Sequence, residues 1–269
     1  MISIVIAVYK RLDFLELVLL SLRAQHYTDF EVIIAEDARD QTTAEFVIAE
    51  RNKCKFPLLH VSQADQGFRK TTILNEAVYV SEGDKLVFID GDCILHPDFL
   101  GVYAESIKPG YFYYARRTRL SQAFTEKLIK TKDIGKITLI NLFLTRSKYL
   151  GLAIYLPFSI GKNKQSRQIW GCNWGVSKAS LFSVNGFDED YNEACAGEDL
   201  DIDWRLKALG LKIKSLKNRA IEYHLEHKAN YNPEVQLRME ALMAEKIKAG
   251  NYVCLNGLNN HYPKLAETN

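Results

Sequence analysis

The chain lacks several signatures that would assign its class at once. It has no Gly-x-x-x-x-Gly-Lys-[Ser/Thr] segment, which excludes a P-loop nucleotide site. No Gly-x-Gly-x-x-Gly follows an apolar run, which argues against a dinucleotide-binding site. The five cysteines, Cys54, Cys93, Cys172, Cys195 and Cys254, form no Cys-x-x-Cys pair. An odd, scattered set fits reduced thiols rather than a disulfide framework. No apolar run approaches the roughly 18 residues of a membrane-spanning helix. Charge of one sign is missing too: 35 Lys and Arg stand against 33 Asp and Glu, a net +2. That balance gives no argument for nucleic acid as a partner. Residues 1–8 are apolar but too short for a signal peptide, and no basic leader precedes them. A cytoplasmic protein is expected.

What remains is an ordinary globular composition, 47% hydrophobic and 25% charged over 269 residues, enough for a substantial core. Residues 2–8, 30–35, 58–62 and 86–89 read as short, β-branched, apolar strands. Between them, 12–25, 42–52 and 71–80 carry helical spacing. This alternation predicts an α/β fold with a mostly parallel sheet and helices on both faces. Ligands of such sheets lie beyond the carboxyl ends of the strands. Asp37, Asp90 and Asp92 all fall at such ends.

The most telling segment is Leu86-Val87-Phe88-Ile89-Asp90-Gly91-Asp92-Cys93. Residues i and i+2 of a strand point the same way, so the two carboxylates can converge just past its end. Gly91 would let a bulky ligand approach the backbone. Two hard oxygen donors on a divalent cation leave its other positions for diphosphate oxygens and water. Asp-Gly is equally a common turn dipeptide, so the neighbours must decide.

Those neighbours form an ordered series. Residues 21–33, the Glu36-Asp37 pair, Gln66-Gly67-Phe68-Arg69-Lys70 with Asn75, and Asp90-Gly91-Asp92 resemble the donor half of family-2 glycosyltransferases. Gly171-Cys172-Asn173-Trp174-Gly175, Asn185-Gly186-Phe187-Asp188-Glu189 and Gly197-Glu198-Asp199 resemble the acceptor half of galactosyltransferases and chondroitin-polymerase-type enzymes. The resemblance runs from about residue 2 to about residue 228. It implies the GT-A fold, a Rossmann-like α/β domain with a C-terminal acceptor-binding half. It divides the chain into a nucleotide-sugar-binding half (1–115), a basic helical insertion (116–168), an acceptor and catalytic half (169–231), and a C-terminal helix and tail (232–269). Aromatic residues often precede the acidic pair in the related enzymes; Cys195-Ala196 stands there in this chain.

The resemblance also implies roles. Ala7, Tyr9, Asp37, Arg69, Lys70, Asp90 and Gly91 would meet the nucleotide-sugar. Asp37 could accept from a uracil N–H or a ribose hydroxyl, or simply cap a helix. Arg69 and Lys70 could meet diphosphate oxygens, or stay as surface charge. Asp92 and His224, with Asp90 reaching the ribose or the metal, would hold Mn2+ or Mg2+; His227 is the substitute ligand. Trp174 could stack on a sugar face or belong to the core. Asp199 would be the general base and Glu198 would hold an acceptor hydroxyl, although acids in a first helical turn also complement the helix dipole.

The expected function is therefore inverting, metal-dependent transfer of a sugar from a UDP-sugar to a hydroxyl of a surface-glycan or lipid-linked acceptor. The alternatives are a nucleotidyltransferase making a nucleotide-sugar and a non-catalytic glycan- or partner-binding module. Residues 116–168 hold twelve Lys or Arg against two acids, interleaved with apolar clusters. They read either as a solvated insertion or as peripheral contact with an anionic membrane. Residues 233–250 read as a terminal helix, with Pro near its start and Gly at its stop.

Overall fold

A computed structural model describes residues 1–158, 164–194, 197–228 and 232–261. The first part of the chain alternates as expected: β1 (Ile2–Val8), α1 (Leu12–Arg23), β2 (Phe30–Glu36), α2 (Gln41–Arg51), β3 (Leu58–Ser62), α3 (Lys70–Val80) and β4 (Lys85–Asp90). Then come β5 (Cys93–Leu95), α4 (Phe99–Ser106), β6 (Tyr111–Tyr114) and β7 (Arg117–Arg119). Helices α5 (Gln122–Thr131) and α6 (Leu139–Leu144) lead to β8 (Asn173–Ser177), α7 (Lys178–Ser183) and α8 (Glu198–Ala208). The rest is β9 (Lys212–Ser215), β10 (Glu222–His224), α9 (Pro233–Ala249) and α10 (Leu258–His261).

Seven strands form one sheet in the order β3-β2-β1-β4-β8-β6-β9. The four N-terminal strands run parallel; β8 is antiparallel to both β4 and β6, and β9 is parallel to β6. A second sheet has the order β5-β10-β7. Its middle strand, β10, sets His224 opposite Cys93, one residue beyond Asp92.

The parallel strands β1, β2 and β4 are mostly apolar because both of their faces are covered, with Ser3, Glu31 and Glu36 as buried polar exceptions. Ile2, Ile4 and Ile6 of β1 pack with Leu15, Val18, Leu19 and Leu22 of α1. Val5 belongs to the opposite core, with Ile73, Ala77 and Val78 of α3. The period of two in the strand thus sorts its side chains between two helical layers. Asp40 caps α2 by accepting from the Thr42 N–H at 2.8 Å, so Asp37 is not that cap. Gly175 in β8 has a steric reason: a Cβ there would sit 2.9 Å from the Leu86 carbonyl oxygen and 3.0 Å from the Tyr103 ring.

The basic stretch from residue 116 is helical only in part. It opens as β7, paired with β10 in the small sheet. Its Phe124, Leu128 and Leu142 share a core with Phe14, Leu17, Ile94 and Tyr223. The stretch is therefore packed into the molecule through apolar anchors. The terminal helix forms as expected: Asn232 caps α9, Pro233 starts it and Gly250 ends it with φ 71°. Among the described residues no helix is long and apolar enough to cross a membrane.

Helix α8 is fixed by a buried ion pair. Arg205 Nε donates to Asp201 Oδ2 at 2.7 Å, and the same guanidinium donates to the carbonyls of Val184 and Gly186, both at 2.8 Å. The two side chains are 1% and 0% exposed. Removing one partner of such a pair leaves an uncompensated buried charge. Arg205→Leu should therefore lower stability by about 3–5 kcal/mol in denaturant unfolding. Asp201→Asn added to Arg205→Leu should restore part of that loss.

Candidate active site

The site is assembled where β1, β2 and β4 end. Backbone hydrogen bonds tie these ends together: Asp37 N–H donates to the Val8 carbonyl and Gly91 N–H to the Ala7 carbonyl, both at 2.9 Å. Two continuous lobes of about 500 and 450 Å³ open over them and share Ala7, Val8, Tyr9, Asp90 and His227. Asp37 lines the larger lobe, and Gly91 and Asp92 line the smaller. Gly91 owes its identity to the fold: a Cβ there would lie 3.1 Å from both the Ala7 carbonyl oxygen and Val8 Cγ2. The close approach is thus to β1, a steric reason for the glycine beside its place in the lining of the smaller lobe.

Asp37 is held firmly. Its carboxylate accepts from Gln63 Nε2 at 2.6 Å and from the Arg69 backbone N–H at 2.7 Å. Burial pushes its pKa up despite those two bonds. Arg69 acts there through its backbone. Its guanidinium donates to the Ala64 carbonyl, so the expected diphosphate contact of that side chain is not what the structure presents. Tyr9 is exposed, and its hydroxyl donates to Asp65, which also pairs with Lys10 at 3.0 Å.

Asp92 is the hub of the smaller lobe. Its Oδ2 lies 2.7 Å from His227 Nε2 and 3.3 Å from His224 Nε2. The candidate ligand atoms of these three residues all lie within 4.8 Å of one another. Burial opposes ionisation of Asp92, yet the hydrogen bonds from both histidines hold its pKa well below the usual carboxylate range. The bond to Asp92 raises His227, against the effect of its burial. His224 is brought in by β10; His227 follows in the loop after it. A carboxylate and two imidazoles suit a borderline divalent cation such as manganese. The buried Nδ1 of His224 has no hydrogen-bond partner among the described residues, so the fit to a metal rests on the donor set itself and not on a contact that orients this ring. The residues fit a metal, and both histidines converge on Asp92 where one was expected. Asp90 is turned to a different partner.

That partner is Lys70, at the start of α3. Its ammonium lies 3.0 Å from Asp90 Oδ1 and 3.3 Å from Glu198 Oε1. Burial alone would lower its pKa, but Asp90, Glu198 and then Asp199 raise it, so the lysine stays charged. Lys70 thus bridges the end of β4 and the start of α8, and it also lines the larger lobe. Asp199 accepts from the Gly171 N–H at 3.1 Å and the Leu200 N–H at 2.9 Å. Burial, and then the like charge of Glu198, push its pKa up to about 6. A small gap lined by Ala7, Lys70, Gly171, Glu198 and Asp199 adjoins the cleft.

Trp174 is corrected outright as an open sugar platform. It is 1% exposed, stacked on Phe88 at 4.4 Å and edge-on to Phe187 at 6.0 Å. Its place in β8 puts it between the sheet and the loop after α7, so it is core. Trp170, four residues earlier, is 44% exposed, with the Arg116 guanidinium 4.1 Å from its ring. Asp188 is buried and paired with Lys246 at 2.6 Å, and Glu189 accepts from Asn75 at 2.7 Å. The segment 185–189 is therefore a structural clasp. Cys195 and Ala196 lie outside the described residues. Sequence reasoning missed Arg11, which lines the smaller lobe beside Asp92 and stacks 3.5 Å from the Phe14 ring. A cation directly after the first strand was the available signal.

The large seven-stranded sheet with its flanking helices is the GT-A fold, a Rossmann-like α/β architecture. The chain matches glycosyl transferase family 2 over residues 3–170, and it belongs to that family. Residues 158–228 match the family described as the N-terminal domain of galactosyltransferase. Among solved structures, S. aureus TarS 1–349 in complex with UDP-GlcNAc is 16% identical with a TM-score of 0.61, over 91% of this chain and 66% of that one. The mannosyltransferase PcManGT from Pyrobaculum calidifontis, with GDP-Man and Mn2+, is 15% identical with a TM-score of 0.61, over 92% and 64%. GalNAc-T7 with UDP, GalNAc and Mn2+ is 11% identical with a TM-score of 0.64, over 91% and 47%. A longer S. aureus TarS chain is matched over only 39% of its length. No curated protein sequence matches.

The triad makes a prediction that needs no metal. His227 is raised from 6.5 by its bond to Asp92. In Asp92→Asn that bond loses its charge, so the His227 titration followed by NMR should move down toward its ordinary value. Binding of Mn2+ followed by calorimetry should weaken, since an anionic ligand is gone. The same titration curve in both proteins would contradict the geometry.

Proposed function

We propose that this chain is an inverting, metal-dependent glycosyltransferase that moves a sugar from a UDP-sugar to a hydroxyl of a surface-glycan or lipid-linked acceptor. The observation that carries the reading is the pairing of two acids by Lys70: Asp90 at the donor cleft, and Glu198 beside a base-ready Asp199. Family membership and neighbours solved with UDP, UDP-GlcNAc or GDP-Man support a nucleotide-sugar donor. Residues 1–115 would supply the donor half and 169–231 the acceptor half.

The nucleoside would rest in the larger lobe against Ala7, Tyr9 and Asp37, whose carboxylate can accept from a ring N–H or a ribose hydroxyl. The diphosphate would extend past Asp90 and Gly91 toward Asp92, His224 and His227, with Arg11 nearby, paired with Asp13 at 2.9 Å. A divalent ion held by those three residues would supply positive charge to the departing diphosphate. Glu198 would orient the acceptor. Asp199 would take the proton of the attacking hydroxyl as the new carbon–oxygen bond forms at the anomeric carbon. The bond to the diphosphate breaks on the opposite face, and UDP leaves with its electron pair. Such direct displacement inverts the anomeric centre.

The pH dependence has a fixed sign. Asp199 accepts a proton only when ionised, so transfer should rise as pH climbs through about 6 and then level off. Lys70 lowers the Asp199 pKa, so Lys70→Met should move that limb to higher pH. Asp199→Asn should cut transfer by ~10²–10⁴-fold with donor affinity nearly unchanged. UDP release and donor binding, measured across pH in the presence of Mn2+, check all three. Transfer by Asp199→Asn at the parent rate would remove the base assignment.

A further inference from the structure

Helix α6 turns most of its apolar surface outward. Leu142 is buried, whereas Leu139, Ile140, Phe143 and Leu144 are 49%, 72%, 71% and 69% exposed. These four stand at i, i+1, i+4 and i+5, so they share one face of the helix. Tyr149, just beyond it, is 63% exposed. Isolated exposed apolar residues need no explanation, but a contiguous group marks a contact surface. Behind the helix lies an apolar cavity of about 420 Å³ lined by Ile94, Ile134, Ile137, Leu139, Leu142 and Tyr223.

The charges around this face are mostly basic, with Glu126 on α5, which accepts from Gln122 at 2.8 Å, as the acidic exception. Arg146 and Lys148 follow α6 directly, and Lys127 and Lys130 stand exposed on α5, which shares the core of Leu142. Among the described residues none of these four has a carboxylate partner within salt-bridge distance. The nearby Asp133 is already paired with Lys136 at 3.2 Å.

We infer that this face docks on the surface of an anionic lipid bilayer. Leu139, Ile140, Phe143 and Leu144 enter the headgroup region, and the cavity behind them gives an acyl chain an apolar recess. Arg146, Lys148 and the α5 lysines meet lipid phosphates. An amphipathic segment with apolar tips and a basic surround binds by this combination of burial and charge. A second copy of the chain is a poorer occupant, because a two-fold contact would bring the same unpaired cations face to face. The inference does not depend on the reaction proposed above.

Vesicle co-sedimentation of the full chain tests it, with phosphatidylcholine vesicles made with and without phosphatidylglycerol. The chain should pellet with the anionic vesicles at low salt and be released as salt rises, since surface charge is screened within about 8 Å at physiological ionic strength. Ile140→Ser with Phe143→Ser should weaken binding at least about tenfold and leave the unfolding temperature unchanged. Arg146→Glu with Lys148→Glu should weaken it by a similar factor, as each basic residue near an anionic surface contributes about fivefold. No pelleting with anionic vesicles at low salt would overturn the inference. So would parent-like binding by either double variant, or a dimer in analytical ultracentrifugation that Ile140→Ser with Phe143→Ser abolishes.

Discussion

One buried ammonium holds the candidate site together. Lys70 sits between Asp90, at the end of β4, and Glu198, at the start of α8, with Asp199 one residue further. Without a cation there, the acids of two distant chain segments would confront each other in a half-buried space, and like charges at that range resist ionisation together. With it, the carboxylate at the end of β4 and the acidic pair beside the gap share a counter-charge. The lysine also sets the room available to its neighbours: a Cβ at Gly171 would fall 3.3 Å from its Nζ. The same glycine donates its backbone N–H to Asp199. The end of β4 and the start of α8 are thereby linked through two adjacent contacts.

The second constraint is topological. Parallel strands β1, β2 and β4 deliver their carboxyl ends to one edge, and the turn after β4 hands Asp92 directly to the three-stranded sheet. Because β10 pairs with β5, His224 must lie beside Asp92. The Leu225 N–H donates to the Asp92 carbonyl at 2.9 Å and carries the chain on toward His227. Residues more than 130 positions apart in the sequence thus meet through backbone pairing rather than through side-chain chance. The electrostatics follow from that placement: one carboxylate is kept ionised by two imidazoles, while Asp199, beside another acid and partly buried, is raised to about 6. Two acids with opposite shifts in one cleft suit two different tasks.

Much of this was legible in the residues. The strands and helices of the first ninety positions fall within a residue or two of the apolar periods, because both faces of β1, β2 and β4 are covered. The acids Asp37, Asp90 and Asp92 were placed correctly at strand ends for the same reason. Side-chain partners were less legible, since they depend on which distant element arrives. Trp174 is indistinguishable in sequence from a sugar platform until β8 is seen wedged between β4 and β6. Arg69 reads as a phosphate contact until its backbone N–H is found on Asp37 and its guanidinium on Ala64. The pairing of both histidines with one aspartate required the β5–β10 register, which no local pattern encodes. Lys70 as a bridge required the same knowledge of α8.

The most direct test of the account is crystallographic. Crystals of the chain grown with UDP and Mn2+ would be measured for anomalous scattering at the manganese edge. The account predicts one strong peak bonded to Asp92 and the two imidazoles of His224 and His227, with nucleotide density running from Asp37 across Asp90 toward that peak. A manganese peak away from those three side chains, or nucleotide bound outside the cleft over the ends of β1, β2 and β4, would contradict it.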